Sequence, residues 1–273
     1  MGFWYADTED RTGPWHWNGV AISLCQTIGL HRNPDPSYSG QPKILSVINR
    51  RLWQQLWWSC FYREAWFSAG MGRPMRINLA ECNTTTPGVE ETDEESEDLP
   101  LNLREKYLPK DMSDLAILWT QLLKLTVILS DILLHQHRAE YVMPTENQVL
   151  YTESQIRACS AQCDKDSFYQ PSIIVQLYKN HFDIYVEYVQ RVPVPSQAFK
   201  ELTFKPRSVS LLLYRPFLLS NSDSMQNFSM DWKSTIEQKT RSAAKTTNHI
   251  LSSLISADMV NVCQSIMYVR HRK

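Results

Sequence analysis

The stretch RRLWQQLWWSCFYREAWFSAGMGRPMRI, residues 50–77, constrains the fold more than any other part of the chain. Its apolar positions Leu52, Trp53, Leu56, Trp57, Cys60 and Phe61 recur as adjacent pairs four residues apart. That spacing predicts a helix with a broad buried stripe, with Arg50, Arg51, Gln54, Gln55 and Arg63 on the other side. Rings this large stabilise a fold by leaving water. The stretch then closes on Gly70, Gly72 and Pro74, residue types that end helices. A segment of this kind needs a deep core around it. The 273 residues, 43% hydrophobic, can supply one as a single large domain or two small ones.

Helical spacing recurs along the chain. Val20, Ala21, Leu24, Cys25 and Ile28 fall on one helix face, with Gly29 near the end and Pro34 and Pro36 beyond it. Residues 114–137 hold a period near 3.6 through Leu115, Leu118, Trp119, Leu122, Leu125, Leu129, Ile132 and Leu133. Shorter helices are predicted over 152–163, from Pro171 past His181, and over 209–213 up to Pro216. A last one runs from Asp231 to about Ala257. Only eight glycines occur and no strand ladder is visible, so the expected class is all-α, irregular and multi-helical with long loops. One domain over 1–273 is expected, with an acidic, proline-containing linker at 83–112 and a Pro-rich insertion or loop at 192–207. Seven acids in the nine residues EETDEESED, 90–98, make that part of the linker a solvated, self-repelling run.

Chemistry is harder to find. With 28 Lys+Arg against 29 Asp+Glu the chain has no overall basic excess for the nucleic-acid backbone. Its basic cluster is confined to 270–273. Cys159 and Cys163 form a C-x3-C pair without a second pair to complete a metal site, so the six cysteines read as reduced, small hydrophobes. Residues 1–12 hold no apolar signal segment, and the apolar run 210–219 is interrupted by Arg215, so no membrane span is expected. Ser68 has Trp66 where a nucleophile elbow requires glycine, and Gly70-Met71-Gly72 lacks the third glycine of a dinucleotide loop. His135 and His137 sit two apart, on different faces of a helix. The expectation is a protein without catalytic activity.

Arg50, Arg51, Arg63, Arg73, Arg76 and Arg215 cluster around aromatic segments. They can cap helices and stack on tryptophan, line a pocket for an anionic small molecule, or contact a protein partner. A helical small-molecule-binding or enzymatic domain, with Arg51, His31 and Arg73 around a pocket, is the second reading. A truncated gene product that folds poorly is the third.

The order of these motifs resembles the regulatory domain of fungal zinc-cluster transcription factors, the fungal-specific transcription factor or middle homology domain. The similarity rests on WHWNGVAISLCQTIGLHRNPD, residues 15–35, with Gly29-Leu30-His31-Arg32. It continues in Arg50-Arg51, Trp53, Trp57-Trp58 and Arg73-Pro74, and in Leu213-Tyr214-Arg215-Pro216-Phe217-Leu218. The cutinase transcription factor subgroup is the most similar in flavour. The resemblance implies regulation of RNA polymerase II transcription in the nucleus, with the transcription machinery or co-regulator proteins as partners and a small-molecule inducer. It makes His31, Arg32, Arg50, Arg51, Trp53, Trp57, Trp58, Arg73, Pro74 and Arg215 the motif core. Zinc and DNA binding are implied only for an N-terminal cysteine cluster outside these residues, so the chain itself is expected to carry no cofactor and to be a fragment. Two departures stand out. Glu64-Ala65 replaces the family's Asp-Arg, which removes the basic half of any salt bridge there. Residues 187–206 break the continuous helix into Leu-x-Arg-Pro, as an insertion or an unspliced intron would.

Overall fold

The computed structural model describes residues 13–33, 47–88, 100–102, 112–163, 198–219 and 228–256. Six α-helices run through them: α1 (Gly13–Thr27), α2 (Val47–Met71), α3 (Met112–Gln136), α4 (Glu146–Cys163), α5 (Ala198–Leu219) and α6 (Met230–Ser256). A short 3-10 turn lies at Leu79–Glu81, and no strand occurs among the described residues. The all-α expectation holds. The acidic run 90–98, the helix from Pro171, the loop residues 192–197 and the basic cluster 270–273 lie outside the described residues. The described residues fall into two compact units, one reaching Thr126 and the other starting at Val127, so α3 contributes to both.

In the first unit α1 packs on α2. Asn18 meets Glu64, Cys25 meets Cys60, and Gly29 lies beside Trp53, so the two helices run antiparallel. α1 ends where the pattern placed it. Gly29 has φ 83°, its N–H bonds the Gln26 carbonyl, and the Leu30 N–H bonds the Cys25 carbonyl. This double closure needs a residue at ease with positive φ. α2 ends in the same way, with Gly72 at φ 63° and the Arg73 N–H on the Ser68 carbonyl.

The buried faces differ from those predicted. In α1, Val20, Leu24 and Ile28 are exposed, Leu24 and Ile28 by 62% and 63%, while Asn18, Ile22 and Cys25 are buried. The apolar spacing fits either face. What selects one is the polar contact of Asn18 with a carboxylate on α2. In α2, Leu52 and Leu56 are about half exposed, while Trp57, Trp58, Phe61, Tyr62, Ala65, Trp66 and Phe67 are buried. From Phe61 to Ser68, α2 is thus buried at every position but Arg63. Full burial of a ring such as Phe61 contributes roughly 3 kcal/mol.

Residues 82–88 have no regular secondary structure, as a linker should, but their first part is docked. The Asn83 N–H bonds the His31 carbonyl, the Thr84 hydroxyl bonds the Leu30 carbonyl at 2.6 Å, and Trp58 Nε1–H bonds the Thr85 carbonyl at 2.8 Å. Thr84 and Pro87 are buried. Residues 83–85, at the start of the expected linker, are thus a strap that ties the end of α1 to α2.

In the second unit α5 packs against α4 and α6. α4 begins at Glu146, well before the predicted Thr152. The reason is a capping box: the Gln148 N–H reaches Thr145 Oγ1, while Gln148 Oε1 accepts from the Thr145 N–H at 2.8 Å. α5 corrects the sequence reading further. It starts at Ala198, inside the stretch assigned to a Pro-rich loop, and runs through both Pro206 and Pro216. Proline at 216 cannot donate to the Leu212 carbonyl one turn back. That carbonyl is taken instead by Gln136 Nε2 at 2.6 Å, so the orphaned acceptor is satisfied and the helix continues. Ser229 caps α6, its hydroxyl accepting the Trp232 N–H.

Candidate functional site

The residues carrying the motifs are mostly inside the first unit. Glu64 is fully buried in α2. Arg76 answers it with a backbone N–H at 2.8 Å from Oε1, Nε at 3.0 Å from Oε1, and Nη2 at 2.6 Å from Oε2. Asn18 Nδ2 adds a bond to Oε2 at 2.9 Å. Arg76 in turn donates to the Trp15 carbonyl and lies over the Trp15 ring at 3.9 Å, with Arg73 over the same ring at 5.1 Å. Gly19 leaves the space: a Cβ there would stand 2.2 Å from Arg76 Nη1. The basic half expected to be missing from Glu64-Ala65 is therefore supplied from twelve residues downstream. A buried carboxylate held by a forked guanidinium and two further N–H donors is a locked structural element with no acceptor free for substrate chemistry.

The remaining motif residues separate into distinct places. His31 packs its ring 5.8 Å from that of Trp57, and Trp53 lies beside Gly29. Burial, with Arg32 adding repulsion, holds His31 below the usual histidine range. Trp58 is tied to the strap at Thr85. Arg73 and Pro74 follow the far end of α2, and Arg215 is an exposed residue of the second unit. From Arg51 to Met71 the helix rises about 30 Å. Arg51, His31 and Arg73 thus do not converge on one pocket. Between α1 and α2, Cys25 Sγ lies 3.8 Å from Cys60 Sγ. That contact draws the Cys25 thiol down and pushes the Cys60 thiol up.

Two features of the second unit escaped the sequence reading. Glu153 is buried in α4 and accepts from Tyr214 Oη at 2.5 Å, from Lys239 Nζ at 2.8 Å to both oxygens, and from Arg157. Burial, reinforced by Glu153, pushes the Tyr214 hydroxyl above the ordinary tyrosine range. The second feature is a cavity of about 280 Å³ between α3, α4, α5 and the 141–144 segment. Ile128, Ile132, Leu213 and Pro216 give it apolar walls, and Asp131, His135, Gln136, Gln148 and Gln155 bring polar groups to it. The i, i+4 spacing of Asp131 and His135 was visible in the sequence. The partner helices that make a cavity of it were not.

The model for the fungal specific transcription factor domain matches residues 1–268 of the 273. The chain belongs to this family. Among curated relatives, it is 43% identical over 97 residues to the Cutinase transcription factor 1 beta of Fusarium vanettenii, covering 36% of this chain and 10% of that protein. It is 33% identical over 84 residues to the Cutinase transcription factor 1 alpha of the same species, covering 30% and 9%. Against the Acetamidase regulatory protein of Aspergillus fumigatus it is 31% identical over 85 residues, covering 30% and 10%. The aligned stretches span about a tenth of these relatives' length. No solved structure matches. Within the fungal transcription factor domain, then, the tryptophan-rich α2 is a core element organised around Glu64. No helix among the described residues is long and apolar enough to cross a membrane.

Proposed function

We propose that this chain is the regulatory domain of a nuclear transcription regulator that acts on RNA polymerase II genes. Its role is to hold an activation function in check, through co-regulator proteins and a small-molecule inducer. The observation that carries the reading is the family match over residues 1–268, together with relatives whose names describe transcription factors and regulatory proteins. DNA contact and zinc are assigned to a cysteine-cluster module, because these residues have formal net charge −1 and no cysteine spacing of that kind. Regulation rather than catalysis is also favoured by the buried carboxylates, since Glu64 and Glu153 are each neutralised inside the fold.

The inducer is assigned to the cavity of the second unit, where apolar walls and convergent polar groups occur together. Disruption of the gene followed by RNA sequencing tests the reading, alongside microscopy of a fluorescent fusion to the full reading frame. A defined set of transcripts that changes and a nuclear signal are the expected results. An unaltered transcriptome with a signal excluded from the nucleus would overturn it.

A further inference from the structure

The geometry points to the α3–α4–α5 cavity as a binding site for a small primary amine with an apolar body, its ammonium group held by Asp131. The site is that of the regulatory reading above, and its consequence for transcription rests on that reading.

The ligand class follows from the hydrogen-bonding capacity that the walls have left. Gln136 has spent one amide N–H on the Leu212 carbonyl, which leaves its second N–H and its own carbonyl oxygen. His135 Nε2 must donate to the Val142 carbonyl at 2.7 Å, because a carbonyl can only accept; in neutral imidazole this leaves Nδ1 as an acceptor. The Thr152 hydroxyl donates to the Gln148 carbonyl and keeps its lone pairs. Asp131 accepts only, and among the described residues it has no hydrogen-bond or ion-pair partner. The lining residues among those described include an aspartate and no lysine or arginine. Gln148, whose Oε1 is taken by Thr145, and Gln155 offer amide donors as well, so the charge of Asp131 decides: a cation finds a counter-charge where an anion would meet a like one.

The rest of the cavity sets the body of the ligand. Ile128, Ile132 and Leu213 favour hydrocarbon, and the rings of Tyr141 and Tyr151 can flank an ammonium group. At about 280 Å³ the volume lies just below the usual range of ligand pockets, which begins at roughly 300 Å³, so a small metabolite fits and an extended one does not. Asp131 remains reachable from solvent, which gives entry. Burial of its remaining surface pushes its carboxyl above the usual range, a cost that a bound cation relieves.

Calorimetric titration of the 273-residue chain with primary amines from butylamine to phenethylamine tests this, with hydrocinnamate as the anionic counterpart of the largest. The expected result is saturable binding of phenethylamine, at least tenfold preference over hydrocinnamate, and about tenfold or greater loss of amine affinity in Asp131→Asn. The Asp131→Asn chain should keep its far-UV spectrum and cooperative melt, which separates lost binding from lost fold. Absence of amine binding, equal binding of hydrocinnamate, or an Asp131→Asn chain that binds amine unchanged would overturn the site. A reporter indifferent to an amine that does bind would count against the regulatory reading and leave the binding site standing.

Discussion

Arg76 lies over Glu64 with Nη2 2.6 Å from Oε2 and its backbone N–H 2.8 Å from Oε1, so the loop after α2 neutralises a carboxylate at the centre of the helix packing. Removing one partner of a buried pair strands the other charge. Arg76→Ala should therefore cost roughly 3–5 kcal/mol, while Glu64→Gln with Arg76→Met should recover a large part of it. Urea unfolding followed by circular dichroism reads both. Strictly additive costs would mean that the two side chains do not act as a pair.

Gly19 gives a test with an unusual sign. Glycine to alanine inside a helix ordinarily stabilises by about 1 kcal/mol. Here the new methyl would enter the space of Arg76 Nη1 and displace it from Glu64, so Gly19→Ala should instead cost about 1–3 kcal/mol. In an Arg76→Ala background the same change should become stabilising. Thermal melts of the four chains decide it.

The Glu153 cluster should respond unequally to its two main partners. Tyr214→Phe removes one hydrogen bond to a charged acceptor and should cost roughly 1.5–3 kcal/mol. Lys239→Met leaves the buried carboxylate without its nearest cation and should cost more. If Lys239→Met proved the milder change in chemical denaturation, the carboxylate would not depend on the lysine.

His31 predicts a pH dependence. The folded state holds its imidazole below the ordinary value of 6.5, so the unfolded chain takes up the proton first as pH falls. The stability it contributes is present above pH 6.5 and is lost as pH drops below that value towards the folded-state pKa. His31→Gln should flatten that part of the profile, measured as melting temperature against pH. An unchanged slope would place the titration elsewhere.

What was legible in the sequence was periodic or punctuated. The helices, the glycine closures after α1 and α2, and the enclosure of Trp57 and Phe61 could be read from spacing and residue type. The orientation of α1 could not, because its apolar residues fit two faces and the choice depends on Asn18 reaching a carboxylate forty-six residues away. The partner of Glu64 was missed because it was sought next to it in sequence, whereas Arg76 returns from beyond the helix end. Thr145 and Gln148 did carry a capping signal, and it predicts the true start of α4. Pro206 and Pro216 misled in the other direction, since proline marks a missing donor and not an obligatory stop when another group, here Gln136, takes up the carbonyl. The cavity beside Asp131 depends on three helices and was not encoded in any one of them.

The most direct test of the whole account is a reporter driven by this chain fused to a heterologous DNA-binding module, measured beside the module alone and beside the Arg76→Ala fusion. If the folded chain regulates transcription, the wild-type fusion shifts reporter output from that of the module alone, and Arg76→Ala abolishes the shift at equal protein level. Identical output from the module and the wild-type fusion would contradict it.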